Sequence, residues 1–235
     1  MAELIRYERH AAVALITLDD GKANALSPAM VTAANAALDR AEQEAAGAVV
    51  LCGRPGRFSA GFDLSVMTSG PEALFGLVKS GAELALRLYL FPRPVVIACT
   101  GHALAAGAVL LCSADLRVGA AGAFKIGLNE VAIQLPLPVF ALELARDRVA
   151  PRFFTQAVSQ ARIFDPDGAR DAGYLDEVVA SGEVLDAALA HAARLAALPD
   201  PAFRLTKERE RRATVGRIRA TLDSDIALLT APVPS

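Results

Sequence analysis

The sequence predicts an α/β fold with parallel strand pairing and a helical C-terminal region. Three observations carry this. Short β-rich apolar runs alternate with longer Ala- and Leu-rich runs through the first half. The runs around Val49 and Val96 are apolar throughout, as strands covered on both faces are. From about residue 185 onward the patterning is helical.

In chain order, Val13-Ala14-Leu15-Ile16-Thr17-Leu18 is a β-rich run closed by the turn signal Asp19-Asp20-Gly21. Ser27-Pro28 reads as an N-cap followed by proline at the first helical position, opening a helix to about Glu44. Residues 47–52 form a buried strand, and Gly53-Arg54-Pro55-Gly56 a turn. Arg57 to Leu64 reads as a strand-to-helix loop, and residues 71–90 as a helix. A second buried strand covers 94–99, a small-residue loop 101–107, and a short apolar helix 108–114, with its first turn near Ala106. A strand follows at 115–119. Later helices are expected over 138–149, 151–160, 166–172 and 184–198, and a last one opens at Asp200-Pro201.

The 235 residues can bury a sizeable core without metals or disulfides. The 54% hydrophobic content leaves surface for contacts between copies. A net charge of −2 argues against nucleic-acid and membrane-surface partners. Cys52, Cys99 and Cys112 are odd in number, widely spaced and set among apolar residues, so they read as reduced core thiols. The first ten residues carry no signal-type apolar run, and no uncharged stretch of about twenty apolar residues occurs. A cytoplasmic protein is expected.

Three segments can carry chemistry. Arg57 to Leu64 and Gly101 to Ala108 are small-residue loops where backbone can approach a ligand closely. Each could equally be a packing loop, with Asp63 as a helix cap. A buried helix starting near Ala106 points free N–H groups and its positive end back at the loop, which suits a developing oxyanion. In Ile126-Gly127-Leu128-Asn129-Glu130, the carboxylate is followed by apolar residues, and desolvation there raises a carboxylate's pKa. A surface glutamate is the plain alternative. His102 reads as a packed or loop histidine. The basic run Arg204, Lys207, Arg209, Arg211 and Arg212 reads as a solvated helix face or as a phosphate-binding group.

Taken in order, these segments resemble the enoyl-CoA hydratase/isomerase (crotonase) superfamily. The likeness includes Gly21-Lys22-Ala23-Asn24-Ala25-Leu26, Phe58 to Leu64, Arg93 to Ala98 and the Gly101 loop. It continues through Asp115, Ile163 to Pro166 and Ala172 to Asp176. Within the superfamily, the segment around Glu130 and Leu198-Pro199-Asp200-Pro201 with Leu205-Thr206-Lys207 resemble Δ3,Δ2-enoyl-CoA isomerases. The resemblance implies a crotonase-like spiral of ββα units, with a core over 1–184 and a helical region over 185–235 that packs trimers or pairs of trimers. It implies that the Phe62 and Ala106 amides hold the thioester oxygen and that Glu130 shuttles the proton. It further implies that Lys22, Ala23, Asn24, Ala25 and Leu26, with Ala60, Gly61, Phe62, Asp63 and Leu64, belong to segments touching coenzyme A. Lys207 is a candidate for its phosphates. No metal or redox cofactor is implied, since coenzyme A is part of the substrate.

The departures bear on the reaction. Hydratases of the superfamily carry a second Glu where this chain has Val109, which favours isomerisation of 3-enoyl to 2-enoyl thioesters in fatty acid metabolism. Ala105 and Ala106 stand where family members have glycines, which leaves the backbone geometry of the hole open. Gln134-Leu135-Pro136-Leu137-Pro138 replaces a Gly-rich stretch and alters the acyl pocket. A one-carboxylate hydratase and a non-catalytic acyl-CoA binder are the alternatives.

Overall fold

The computed structural model describes residues 4–230. β1 (Ile5–His10) and β2 (Val13–Leu18) form an antiparallel hairpin. Patterning does not announce β1, because Arg6, Glu8, Arg9 and His10 interrupt it. Those charges suit the place it takes, at the edge of a sheet, where they discourage pairing with another chain. Helix α1 (Pro28–Gln43) starts where Ser27 and Pro28 predict, the Met30 amide donating to Ser27 Oγ at 3.2 Å.

The chain then repeats a unit of two strands and helix. β3 (Ala48–Cys52) leads into β4 (Gly56–Ser59), α2 (Leu64–Met67) and α3 (Pro71–Leu90). β5 (Val95–Cys99) leads into β6 (Gly101–Leu104) and α4 (Ala106–Ser113). β7 (Leu116–Ala120) leads into β8 (Ile126–Gly127), a 3-10 turn (Val131–Ile133), α5 (Val139–Arg146), α6 (Pro151–Val158) and α7 (Pro166–Ala172). β9 (Glu177–Val179), α8 (Val184–Ala196) and α9 (Asp200–Thr230) complete it. The first strand of each unit joins a six-stranded sheet, in order β1-β2-β3-β5-β7-β9, parallel apart from the hairpin. The second strand joins a parallel three-stranded sheet, β4-β6-β8. The chain therefore advances as a spiral of ββα turns.

The small sheet corrects the expectation of loops over 57–64 and 101–107. Its strands are two to four residues long and glycine-rich. Glycine is needed because the backbones touch: a Cβ on Gly101 would lie 2.0 Å from the carbonyl carbon of Gly56, its register partner.

Both faces of the large sheet are covered, which explains its apolar strands. On one face, Val184, Ala188 and Ala192 of α8 pack on Val13, Leu15, Val50, Val96 and Val118. The other face, with Ile16, Leu18, Leu51 and Ile97, meets α1, α3 and α4 in the main core. The expected boundary at 184/185 thus falls at the start of a helix that covers the sheet. α9 runs about 46 Å at 1.5 Å per residue across α3 and α5. Lys207, Arg211, Thr214, Val215, Ile218 and Ile226 form its buried stripe at helical spacing. Cys52, Cys99 and Cys112 are free and buried. Among the described residues, no helix is long and apolar enough to cross a membrane.

Candidate active site

The site begins where the small sheet ends. β4 runs into Gly61, whose φ of +93° is a region that favours glycine. A Cβ there would lie 2.8 Å from Ala105 Cβ and 3.3 Å from the Ala106 amide nitrogen, so only glycine lets the turn sit this close to the start of α4. The Phe62 ring lies on Gly81 of α3, where a Cβ would be 2.2 Å from Cε1. At the other side of the cleft, Ala105 has φ 49° and ψ −125°. That turn lets the Ala105 amide donate to Gly127 and leaves Ala106 as the first residue of α4. Gly107 permits the close seat of α4 on Ser59, whose carbonyl oxygen would be 2.5 Å from a Cβ. Among the described residues, neither the Phe62 nor the Ala106 amide has a hydrogen-bond partner. α4 has no side-chain cap, so its dipole adds to the positive potential at Ala106.

Beside these donors is an apolar cavity of about 170 Å³. It is lined by Phe62, Leu64, Met67, Leu74, Val78, Ala105, Ala106, Val109, Ile133, Leu135, Phe140 and Leu229, among others. Glu130 and Asn129 supply its polar side chains. Glu130 stands at the head of the 3-10 turn, and its carbonyl accepts from the Ile133 and Leu135 amides, both at 3.0 Å. The residue as a whole is half-buried, yet its Oε2 is buried with no partner among the described residues. Burial pushes its pKa up to about 7, against the smaller opposing effect of its own backbone N–H. A carboxylate poised near neutrality, next to two free amides and an apolar cavity, can move a proton on carbon beside an oxygen that gathers charge.

The structure brings Ala60, Phe62, Leu64, Ala106, Val109 and Glu130 to one cavity. The 22–26 segment is tied alongside: the Ala60 amide donates to Ala23, Leu26 to Gly61 and Asp63 to Leu26. Lys22 is exposed, and Ala23 and Ala25 are half-buried. The side chains of Asn24 and Leu26 are buried in the core. Asn24 Nδ2 donates to Leu18 at 2.9 Å and Phe58 at 3.2 Å, which makes it a staple between loop and β4. Asp63 caps α2 through Ser65, whose hydroxyl holds its carboxyl below the ordinary range. His102 lies outside the cavity, accepting from the Lys125 amide.

Lys207 requires a correction. It is 4% exposed, and its Nζ donates to Asp115 at 2.7 Å. Burial, ahead of the opposing pull of Asp115, lowers its pKa to about 8. The helical phase of α9 turns positions 207 and 211 inward, where Asp115 pairs the Lys207 ammonium and leaves it little exposed to an incoming phosphate. Sequence reasoning also missed Met67, Leu74, Val78, Phe140 and Leu229. They look like any other core residue, and only the fold gathers them. Among the described residues, no cluster of three His, Cys, Asp or Glu could hold a metal ion.

The sequence profile of the enoyl-CoA hydratase/isomerase family matches residues 8–234. Human mitochondrial enoyl-CoA delta isomerase 1 is 31% identical over 227 residues, covering 95% of this chain and 75% of that protein. The crystal structure of an enoyl-CoA hydratase/isomerase family protein from Pseudomonas syringae superposes with a TM-score of 0.94 at 45% identity, covering 96% of this chain and 98% of the other. That of an enoyl-CoA hydratase from Mycobacterium ulcerans gives 0.94 at 41% identity, covering 97% and 100%. Glycine-paired small strands and apolar cavity alike sit on a fold shared with these proteins, and the chain belongs to the enoyl-CoA hydratase/isomerase family.

Proposed function

We propose that the protein is a Δ3,Δ2-enoyl-CoA isomerase of fatty acid metabolism that works with one carboxylate. The observation that carries this reading is the cavity lining: among the described residues, Glu130 is its one titratable side chain, and Val109 supplies a methyl-bearing wall. The thioester oxygen of a 3-enoyl substrate accepts from the Phe62 and Ala106 amides. Ionised Glu130 takes a proton from C2. The electron pair delocalises through C3=C4 and the carbonyl as a dienolate held by the two donors. Glu130 then returns the proton at C4, leaving the double bond between C2 and C3. The backbone around Lys22 to Ala25 and Ala60 to Leu64 flanks the coenzyme A moiety.

Hydration is the second reading, and Asn129 favours it. Its Oδ1 is buried beside Glu130 without a partner among the described residues, and is placed to accept a hydrogen bond from a water. The product ratio separates the two. With purified enzyme and matched 3-enoyl and 2-enoyl thioesters, double-bond migration should outpace formation of the 3-hydroxyacyl product. Faster hydration would replace the isomerase reading with the hydratase one. Glu130→Gln should lower turnover by about 10²–10⁴-fold while thioester binding persists. A variant that keeps most of the activity would put the base elsewhere, and a wild type that binds without turnover would make the protein a binder.

A further inference from the structure

We infer that this site selects a medium-length, unsubstituted acyl chain of about eight carbons, and that the walls selecting it are the proline segment after Glu130 and the last turns of α9. The inference rests on the acyl-thioester reading above. The cavity holds about 170 Å³. An apolar cavity of about 150 Å³ accommodates benzene, which is six carbons. With the thioester carbon outside it, at the two amides, and C2 onward inside, the space is filled by a chain of about eight.

The walls cannot yield easily. Pro136 and Pro138 have fixed φ, and the Leu135 amide is bonded to the carbonyl of Glu130 at 3.0 Å. The wall and the base are therefore one unit. α9 is fixed to the same unit, because Asp225 accepts from the Val139 amide at 2.7 Å, at the N-terminus of α5. That contact sets Leu229, one turn further, against the cavity. An oversized chain presses on Leu135 and Leu229 among the walls, and pressure on Leu135 passes to Glu130 through its carbonyl. Overlong substrates should thus lose kcat as well as affinity. Away from Asn129 and Glu130, the described residues of the lining offer no side-chain polar group to a hydroxyl or second carboxylate on the tail.

The test is a series of saturated acyl-CoAs from four to fourteen carbons for binding, and the matching 3-enoyl series for turnover. Affinity should rise about fourfold per added methylene up to about eight carbons and then stop rising. kcat/KM should peak between six and ten carbons. A peak at four, a peak at twelve or more, or a flat profile would overturn the inference. Leu229→Ala should move the optimum about two carbons longer, and Leu74→Phe, narrowing the cavity from α3, should move it shorter. Unmoved optima in both would also overturn it. Affinity that rises with length and levels off near eight carbons, without turnover at any length, would sink the isomerase reading and leave the length selection standing.

Discussion

Glu130 is kept near the midpoint of its titration by burial, and this has two opposite consequences. On the proposed reading of Glu130 as the base, the ionised form is the active one, so kcat/KM should rise with pH through about 7 and level off above it. Stability should run the other way. The folded pKa is raised from the ordinary 4.5 to about 7, so the neutral acid suits the fold better than the carboxylate does. The stability drawn from the neutral form is complete below pH 4.5 and is lost as pH rises through about 7. Gln is neutral at every pH. The melting temperature of Glu130→Gln should therefore gain on the wild type between pH 5 and pH 8, and a constant difference would place Glu130 in a wetter setting than described. Ala105 adds strain of its own. Its φ of 49° with ψ −125° belongs to glycine, and an alanine there costs on the order of 1–3 kcal/mol. The surrounding strand pairing holds it, and the Ala106 amide stays free as a result.

Among the elements, α9 places two buried cations on one acid. Asp115 accepts from Lys207 Nζ, Arg211 Nη2 and the Val95 amide, all at 2.7 Å. Arg211 also stacks on Tyr89 at 4.3 Å and donates to its carbonyl. Removing the acid would strand two buried cations. Asp115→Ala should cost about 3–5 kcal/mol in urea unfolding, and a loss under 1 kcal/mol would mean that α9 is held by its apolar stripe alone. This network also marks the limit of what the sequence made legible. α1, α3 and the buried strands followed from caps and apolar runs, because those signals are local. The small sheet did not, because its strands are too short for periodicity and their glycines read as turns. Glu130, Phe62 and Ala106 stood out through motif order, whereas Lys207 looked available because charge in a sequence does not say which way a helix is turned. The partners of Lys207 and the far wall of the cavity come from residues remote along the chain, and no local pattern announces them.

At the scale of the whole molecule, apolar surface remains uncovered. Leu64 is 64% and Leu228 71% exposed, with Leu198 and Leu205 also open on and before α9. Covering such residues favours association. Light scattering at micromolar concentration should give a mass of three or six times 24.5 kDa, and a mass of one chain would refute the expectation. One further consequence concerns time. The ribosome builds a chain at about 5–20 residues per second, N-terminus first. The Gly61 turn, the Ala106 amide and Glu130 are all made before Leu229, which lines the same cavity from the far end of α9. A nascent chain thus carries its carboxylate and both donors while one wall of the cavity has yet to be translated. The order of synthesis works as a delay: on the proposed reading, the acyl-binding wall is complete only once the last helix has been translated.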